Sequence, residues 1–184
     1  MDALVIIDIQ NDYFPGGAAA LSGPEAAAAQ AARLVERFRK LGRPVLHVQH
    51  VSIREGASFF LPGTPGLDIH PAVAPAPGEP VVRKHFPNAF RDTELEEGLR
   101  RANARHLCVA GMMSHMCIDT SVRAAADKGY GITLAHDACA TKALKFGDAE
   151  VPAAQVHAAY MAALNGSFGR VLATDAILAE LSEK

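Results

Sequence analysis

Residues 3–8 read Ala-Leu-Val-Ile-Ile-Asp. Five apolar residues without a break, closed by a carboxylate, are the pattern of a short strand buried on both faces, as in a parallel sheet. Gly16, Gly17 and Gly23-Pro24 then mark a loop. Residues 25–41 carry Ala28, Ala31, Leu34, Val35, Phe38 and Leu41 at helical spacing, closed by Gly42. Residues 44–49 (PVLHVQ) predict a second strand, 80–85 (PVVRKH) a third, 106–111 (HLCVAG) a fourth, 131–136 (GITLAH) a fifth and 170–172 a short sixth. Between them, helices are expected at 93–102, from just after Gly111 to about Lys128, at 152–164 and at 174–181. Strands alternating with helices imply βαβ crossovers. The expected fold is therefore α/β, a three-layer α/β/α Rossmann-like domain with a mainly parallel sheet of about six strands. Residues from about 51 to 80 are rich in proline and glycine, and a loop of that length in a compact domain forms a lid or binding wall.

At 184 residues the chain suffices for one buried core and is short for two domains of roughly 100–200 residues each. No repeat or linker divides it, so residues 1–184 are read as one domain. The 18 basic and 20 acidic residues leave a formal charge of −2, which disfavours nucleic-acid or polybasic membrane partners. No apolar run approaches the ~20 residues that span a bilayer, and the N-terminus lacks the basic start and small-residue cleavage site of a signal peptide. Cys108, Cys117 and Cys139 are too few, and odd in number, for a disulfide framework. A soluble cytoplasmic enzyme is the expectation.

Ligands of an open parallel sheet bind beyond the carboxyl ends of its strands. Asp8 ends the first strand, Lys84 stands at the end of the third, and Cys117 follows Gly111 by six residues, just inside the next helix. Together they supply a base, a cation and a nucleophile. Ser114 is the expected N-cap, placing Cys117 in the first helical turn, where the macrodipole and Lys84 would favour a thiolate. Asp8 would take the thiol proton and return it to a leaving group. A small buried cysteine without chemistry is the competing reading.

Three motifs, in order, make the pattern specific. They are Asp8-Ile9-Gln10-Asn11-Asp12-Tyr13-Phe14; Lys84 with Phe86 and Asn88-Ala89-Phe90; and Gly111-Met112-Met113-Ser114-His115-Met116-Cys117 running into Thr120-Ser121-Val122-Arg123. The chain resembles the isochorismatase-like cysteine hydrolases over essentially its whole length. Leu61-Pro62-Gly63-Thr64-Pro65-Gly66 and His70-Pro71 look closest to streptothricin-hydrolase-like and uncharacterised members. The resemblance implies Asp8 as base, Lys84 as charge-stabilising partner and Cys117 as nucleophile. It also implies a cis Met112–Met113 bond and an oxyanion hole from the N–H groups of Met113 and Cys117. The implied reaction cleaves an amide, lactam or ureido C–N bond of a small molecule through a Cys117 thioester, without a cofactor.

Nicotinamidases of that superfamily carry a metal-binding D-x-H after the second strand, where this chain reads Gln49-His50-Val51-Ser52. A lone His50 is a poor divalent site, even with His47, His70 and His85 in neighbouring segments, so no metal is expected. Isochorismatases proper carry a small residue at the Cys117 position, so cysteine argues for C–N chemistry. Two alternatives stand beside the metal-free amidase: a metal-assisted nicotinamidase-type amidase, and a non-catalytic ligand-binding or redox protein on the same fold. No G-x-G-x-x-G follows the first strand, which disfavours nucleotide binding.

The substrate-binding wall is expected from Phe14, Phe59, Phe60, Phe90, Met112 and Met116, joined by Leu21 and Leu61. Phe59-Phe60 is the expected lid, covered by a pocket or by a partner subunit, and a homo-oligomer is expected. Cys108 and Cys139 read as packing residues, the latter in the loop after the fifth strand. His115 is read as a substrate contact or an exposed cap. Asp137 is expected to cap or bond backbone amides, and His106 and His157 to lie outside the chemistry.

Overall fold

The computed structural model describes residues 1–181. In chain order the elements are β1 (Ala3–Ile7), α1 (Pro24–Lys40), β2 (Val45–His50), β3 (Val81–Lys84), α2 (Leu95–Arg101), β4 (His106–Met112), a π-helical turn (Ser114–Ile118) leading into α3 (Asp119–Asp127), β5 (Gly131–Ala140), β6 (Leu144–Phe146), β7 (Ala149–Val151), α4 (Ala153–Leu164), β8 (Arg170–Leu172) and α5 (Thr174–Glu180). Six strands form the central sheet in the order β3-β2-β1-β4-β5-β8, and every neighbouring pair is parallel.

Strand alternation divides the core in two. Leu4 and Ile6 of β1, with Cys108 and Ala110 of β4, face one way and pack with Ala31, Leu34 and Phe38 of α1 and Ile177 of α5. Ala3, Val5 and Ile7, with Leu107 and Val109, face the other way and meet Leu95 and Leu99 of α2, Val122 of α3 and Leu164 of α4. Each fully buried Leu, Ile or Phe contributes about 1.5–3 kcal/mol relative to exposure, so both faces of the sheet must be covered. The expected three layers are thus present, and Cys108 is core.

The chain leaves β1 for β2 on one side and β4 for β5 on the other, so the carboxyl ends of β1 and β4 bound a crevice at the switch in strand order. Gly111 pairs with Ile7 there. Its φ is 143°, and a Cβ would lie 2.0 Å from the Ile7 carbonyl oxygen, so only glycine permits this approach.

Three details depart from the sequence reading. The fifth strand runs on from His136 to Ala140 through an irregularity between Val109 and Gly111, so Cys139 pairs with Gly111 and lies in no loop. β6 and β7 form an unanticipated antiparallel hairpin turning at Gly147-Asp148. The second helix begins at Leu95, because the Thr93 hydroxyl is spent on the Ala89 carbonyl (2.6 Å) and the Leu95 amide (3.3 Å) just outside it. No helix among the described residues is long and apolar enough to cross a membrane.

The 51–80 segment is tied down by the stretch that follows β1. Gln10 Nε2 donates to the carbonyls of His50 (3.0 Å) and Leu67 (2.8 Å), and Asn11 Nδ2 to Pro65 (2.9 Å). Asp12 Oδ2 accepts the Phe60 N–H at 2.6 Å. Gly66 sits where a Cβ would come within 2.0 Å of Asp12 Oδ1. The segment is a wall pinned from behind.

Candidate active site

Asp8 is the first residue beyond β1 and holds φ 53°, a left-handed conformation that aspartate tolerates better than most residues. Lys84 reaches the same point from β3. Val81 and Arg83 face solvent while Val82 and Lys84 face inward, so strand periodicity carries the lysine into the fold, where its exposure is 0%. Lys84 Nζ lies 2.6 Å from Asp8 Oδ2, an ion pair with both side chains fully buried. It also donates to Cys117 Sγ at 3.2 Å and to His50 Nδ1 at 2.9 Å. An ammonium has three protons, so these partners use all of them. Because His50 accepts at Nδ1, its own ring proton belongs on Nε2.

Cys117 stands in the π-helical turn that follows the cis Met112–Met113 peptide bond. Ser114 is not the N-cap; Met113 is, with no side-chain cap. The Ser114 hydroxyl turns back into the fold, bonding the Ala140 carbonyl (3.4 Å) and His157 Nδ1 (2.8 Å). His157, from α4, therefore supports the nucleophile's turn, a link no local sequence pattern announces.

Burial pushes the Cys117 thiol well above its ordinary value and the Asp8 carboxylate adds to this, with Lys84 opposing. The shift runs towards the neutral thiol, where dipole and lysine alone suggested a thiolate. Burial alone would lower Lys84, but Asp8 and Cys117 outweigh it and hold the ammonium above the usual lysine range. His50 is pushed down to about 4, first by burial and then by Lys84, so it is neutral.

Asp8, His50 and Cys117 each bring one ligand atom within 4.8 Å of the others. All three contact the Lys84 ammonium, which stands where an added cation would have to go. The other candidate histidines are engaged elsewhere: His47 Nε2 with Glu79 (2.9 Å), His70 stacked on Phe14 at 3.7 Å, and His85 Nδ1 with the Val51 carbonyl (2.8 Å). The residues present do not fit a nicotinamidase-type metal.

A cleft of about 440 Å³ opens onto Cys117. Of the expected wall, Phe59 and Met116 line it. Six expected residues, Leu21 and Leu61 among them, lie outside its lining. Phe14 is held under His70; Phe60 is 1% exposed, beneath Tyr13 and Phe59; Phe90 packs on Tyr130 and belongs with the α2–α3 side of the core; Met112 is fully buried, its strand position aiming it into the opposite core layer. In their place Tyr13, Ile53, Arg54, His85, Phe86 and Met113 line the cleft. Phe86 was foreseeable, two residues past Lys84 at a strand's carboxyl end, whereas Ile53 and Arg54 depend on the path of the long loop. Asp137 accepts from the Thr174 backbone and hydroxyl at 2.8 and 2.7 Å. His115 bonds the Thr141 hydroxyl, and His106 that of Thr133.

Comparison with known proteins agrees with this fold. The isochorismatase domain family model matches residues 2–176. A Bacillus subtilis isochorismatase family protein, YddQ, is 51% identical over 96% of this chain and 98% of its own. A secreted isochorismatase effector of Verticillium dahliae, Isc1, is 33% identical over 93% and 87%. A Streptomyces noursei streptothricin hydrolase is 37% identical over 77% of this chain and 50% of its own. The crystal structure of an isochorismatase-type hydrolase from Oleispira antarctica superposes with a TM-score of 0.93 at 50% identity, over 96% of this chain and 95% of that one. With strand order, cleft and whole-length similarity in agreement, the chain belongs to the isochorismatase family of hydrolases.

Proposed function

We propose that this protein is a metal-free cysteine amidohydrolase that cleaves a C–N bond of a small amide, lactam or ureido compound. The observation that carries the reading is the fully buried Lys84 ammonium, 2.6 Å from Asp8 and 3.2 Å from Cys117 beneath the floor of the cleft. An ion pair taken out of water is expensive, and a buried salt bridge is weak evidence of a stabilising role, which leaves room for a chemical one here.

In the mechanism, Asp8 takes the Cys117 proton as Sγ attacks the substrate carbonyl carbon. A thiol that stays neutral until the substrate arrives suits this coupled transfer better than a free thiolate. The carbonyl oxygen, now negative, faces the backbone N–H groups of Met113 and Cys117 at the start of the turn, the proposed oxyanion hole. When the tetrahedral adduct collapses, the C–N bond breaks and protonated Asp8 gives its proton to the departing nitrogen. Water then attacks the thioester with Asp8 as base, releasing the carboxylic acid and the thiol. Lys84 stabilises Asp8 and the sulfur through both halves. Phe59 and Met116 are retained as substrate contacts.

We place the enzyme in a reducing compartment, the cytoplasm, in keeping with three cysteines that are all free. A homo-oligomer remains part of the reading: α4 carries no Asp, Glu, Lys or Arg, although Ala154, Ala158 and Ala162 are exposed on it. Light scattering tests this directly.

The decisive experiment incubates the protein and Cys117→Ala with small amides, lactams, ureido compounds, nicotinamide and isochorismate, read by mass spectrometry. Turnover of a C–N substrate by the parent alone, insensitive to chelator, with an acyl adduct on Cys117 at short times, is expected. Turnover surviving in Cys117→Ala, above all of isochorismate, would overturn the thioester mechanism, and loss on chelation would restore the metal-assisted route.

A further inference from the structure

We infer that the cleft selects a substrate bearing a carboxylate, met by Arg54, at the far end of an apolar body whose amide faces Cys117; this rests on the amidohydrolase reading above. The cleft lining contains no aspartate or glutamate, and Arg54 is its one permanently charged side chain. Below the lining, the charges of Asp8 and Lys84 compensate each other in their ion pair. Glu55 follows Arg54 on the same exposed turn but stands outside the lining, so Arg54 is the charge that the cleft wall itself presents to a ligand, and the low-dielectric walls of a cleft strengthen it.

Arg33, Arg39, Arg123 and Arg170 each hold a carboxylate of this chain. The Arg54 side chain has no hydrogen bond or ion pair among the described residues, leaving its planar set of donors free for a two-oxygen acceptor. Its position is nonetheless defined. The Val51 N–H donates to the Lys84 carbonyl (2.9 Å), the Ser52 N–H to Phe60 (3.0 Å), and the Ala57 N–H to the carbonyl of Arg54 itself (3.1 Å). Asp12 holds the Phe60 N–H from behind. Arg54 thus sits on a turn closed at its neck and anchored to the strand that carries Lys84.

Ile53 and Met116, 67% and 40% exposed, stand with Phe59 and Phe86 along the cleft and offer apolar contact to a short carbon chain or ring. At the floor, His50 has its proton on Nε2 because Lys84 occupies Nδ1, so the wall presents a donor there as well. Donors at both ends and no carboxylate anywhere in the lining favour an acceptor-rich, anionic molecule and disfavour a cationic one.

The test compares three matched aliphatic primary amides that differ only in the distal group: carboxylate, methyl ester and amine. Values of kcat/KM are measured for the parent, Arg54→Gln and Arg54→Lys. The expected result is an acid-to-ester preference of about five- to twentyfold in the parent, carried by KM and shrinking with added salt. That ratio should collapse towards one in Arg54→Gln and be partly kept in Arg54→Lys. A second readout does not depend on turnover: calorimetric binding of adipate to Cys117→Ser, expected to be lost when Arg54→Gln is added. Hydrolysis of acid and ester at equal efficiency, with Arg54→Gln unchanged in ratio, would overturn the inference and leave the amidohydrolase standing. Adipate binding that depends on Arg54, without hydrolysis of any amide, would support anion selection and overturn the amidohydrolase. Absence of both hydrolysis and adipate binding would overturn the two together.

Discussion

Replacing Lys84 by methionine keeps the length and apolar volume of the side chain and removes its charge. Asp8 would then be a carboxylate at 0% exposure with its counter-ion gone, and both of its oxygens already lack any other hydrogen-bond partner among the described residues. Breaking a buried pair from one side costs about 3–5 kcal/mol, because the remaining charge is stranded. For a chain of this size that lowers Tm by roughly 6–20 °C. Asp8→Asn tolerates the left-handed backbone at that position and takes away the stranded charge. The double variant should therefore be more stable than Lys84→Met alone by about 1–3 kcal/mol. Urea unfolding with a common m value, backed by calorimetry, measures all four corners of the cycle. A loss below about 1 kcal/mol in Lys84→Met, or an Asp8→Asn effect that is the same in both backgrounds, would refute the buried ion pair as the organising feature of the site.

The remaining predictions concern the turn, the strands and pH. His50 is held at about 4 while an unfolded histidine titrates near 6.5, so the unfolded chain binds the extra proton between those values. Stability should fall as pH drops through that window and fall less in His50→Gln, as chemical denaturation at pH 7 and pH 4.5 would show; parallel losses in both proteins would contradict this. Gly111→Ala should lose about 3 kcal/mol or more, since its Cβ would meet the Ile7 carbonyl at 2.0 Å, and a soluble variant with unchanged Tm would count against the close approach of β1 and β4. The raised Cys117 thiol predicts slow alkylation by iodoacetamide at neutral pH, with a rate still climbing above pH 9 and absent in Cys117→Ala. A rate that levels off near pH 7 would mean a resting thiolate instead.

Much of the architecture was legible in local pattern. The apolar run closing on Asp8, the inward alternation that places Lys84, and the glycine before the cysteine turn are short-range signals, and strand periodicity or backbone sterics govern each of them. They sufficed for six parallel strands between helices and for three reactive groups at one sheet edge. The extension of β5 was illegible because it depends on pairing with β4 across an irregularity, and the Ser114 cap failed because His157 and Ala140, far along the chain, compete for the hydroxyl.

What only the tertiary structure decided is who meets whom. Lys84 and His50 are register partners on adjacent strands, and 34 residues separate them in the chain. Phe59 and Phe60 are neighbours in the chain, yet the Asp12–Phe60 bond buries one ring and leaves the other on the cleft. The same bond, spanning 48 residues, helps set the path that brings Ile53 and Arg54 to the mouth. Side-chain periodicity is encoded within a few residues, whereas convergence at a site depends on strand order, register and long-range hydrogen bonds that exist only once the chain has closed upon itself.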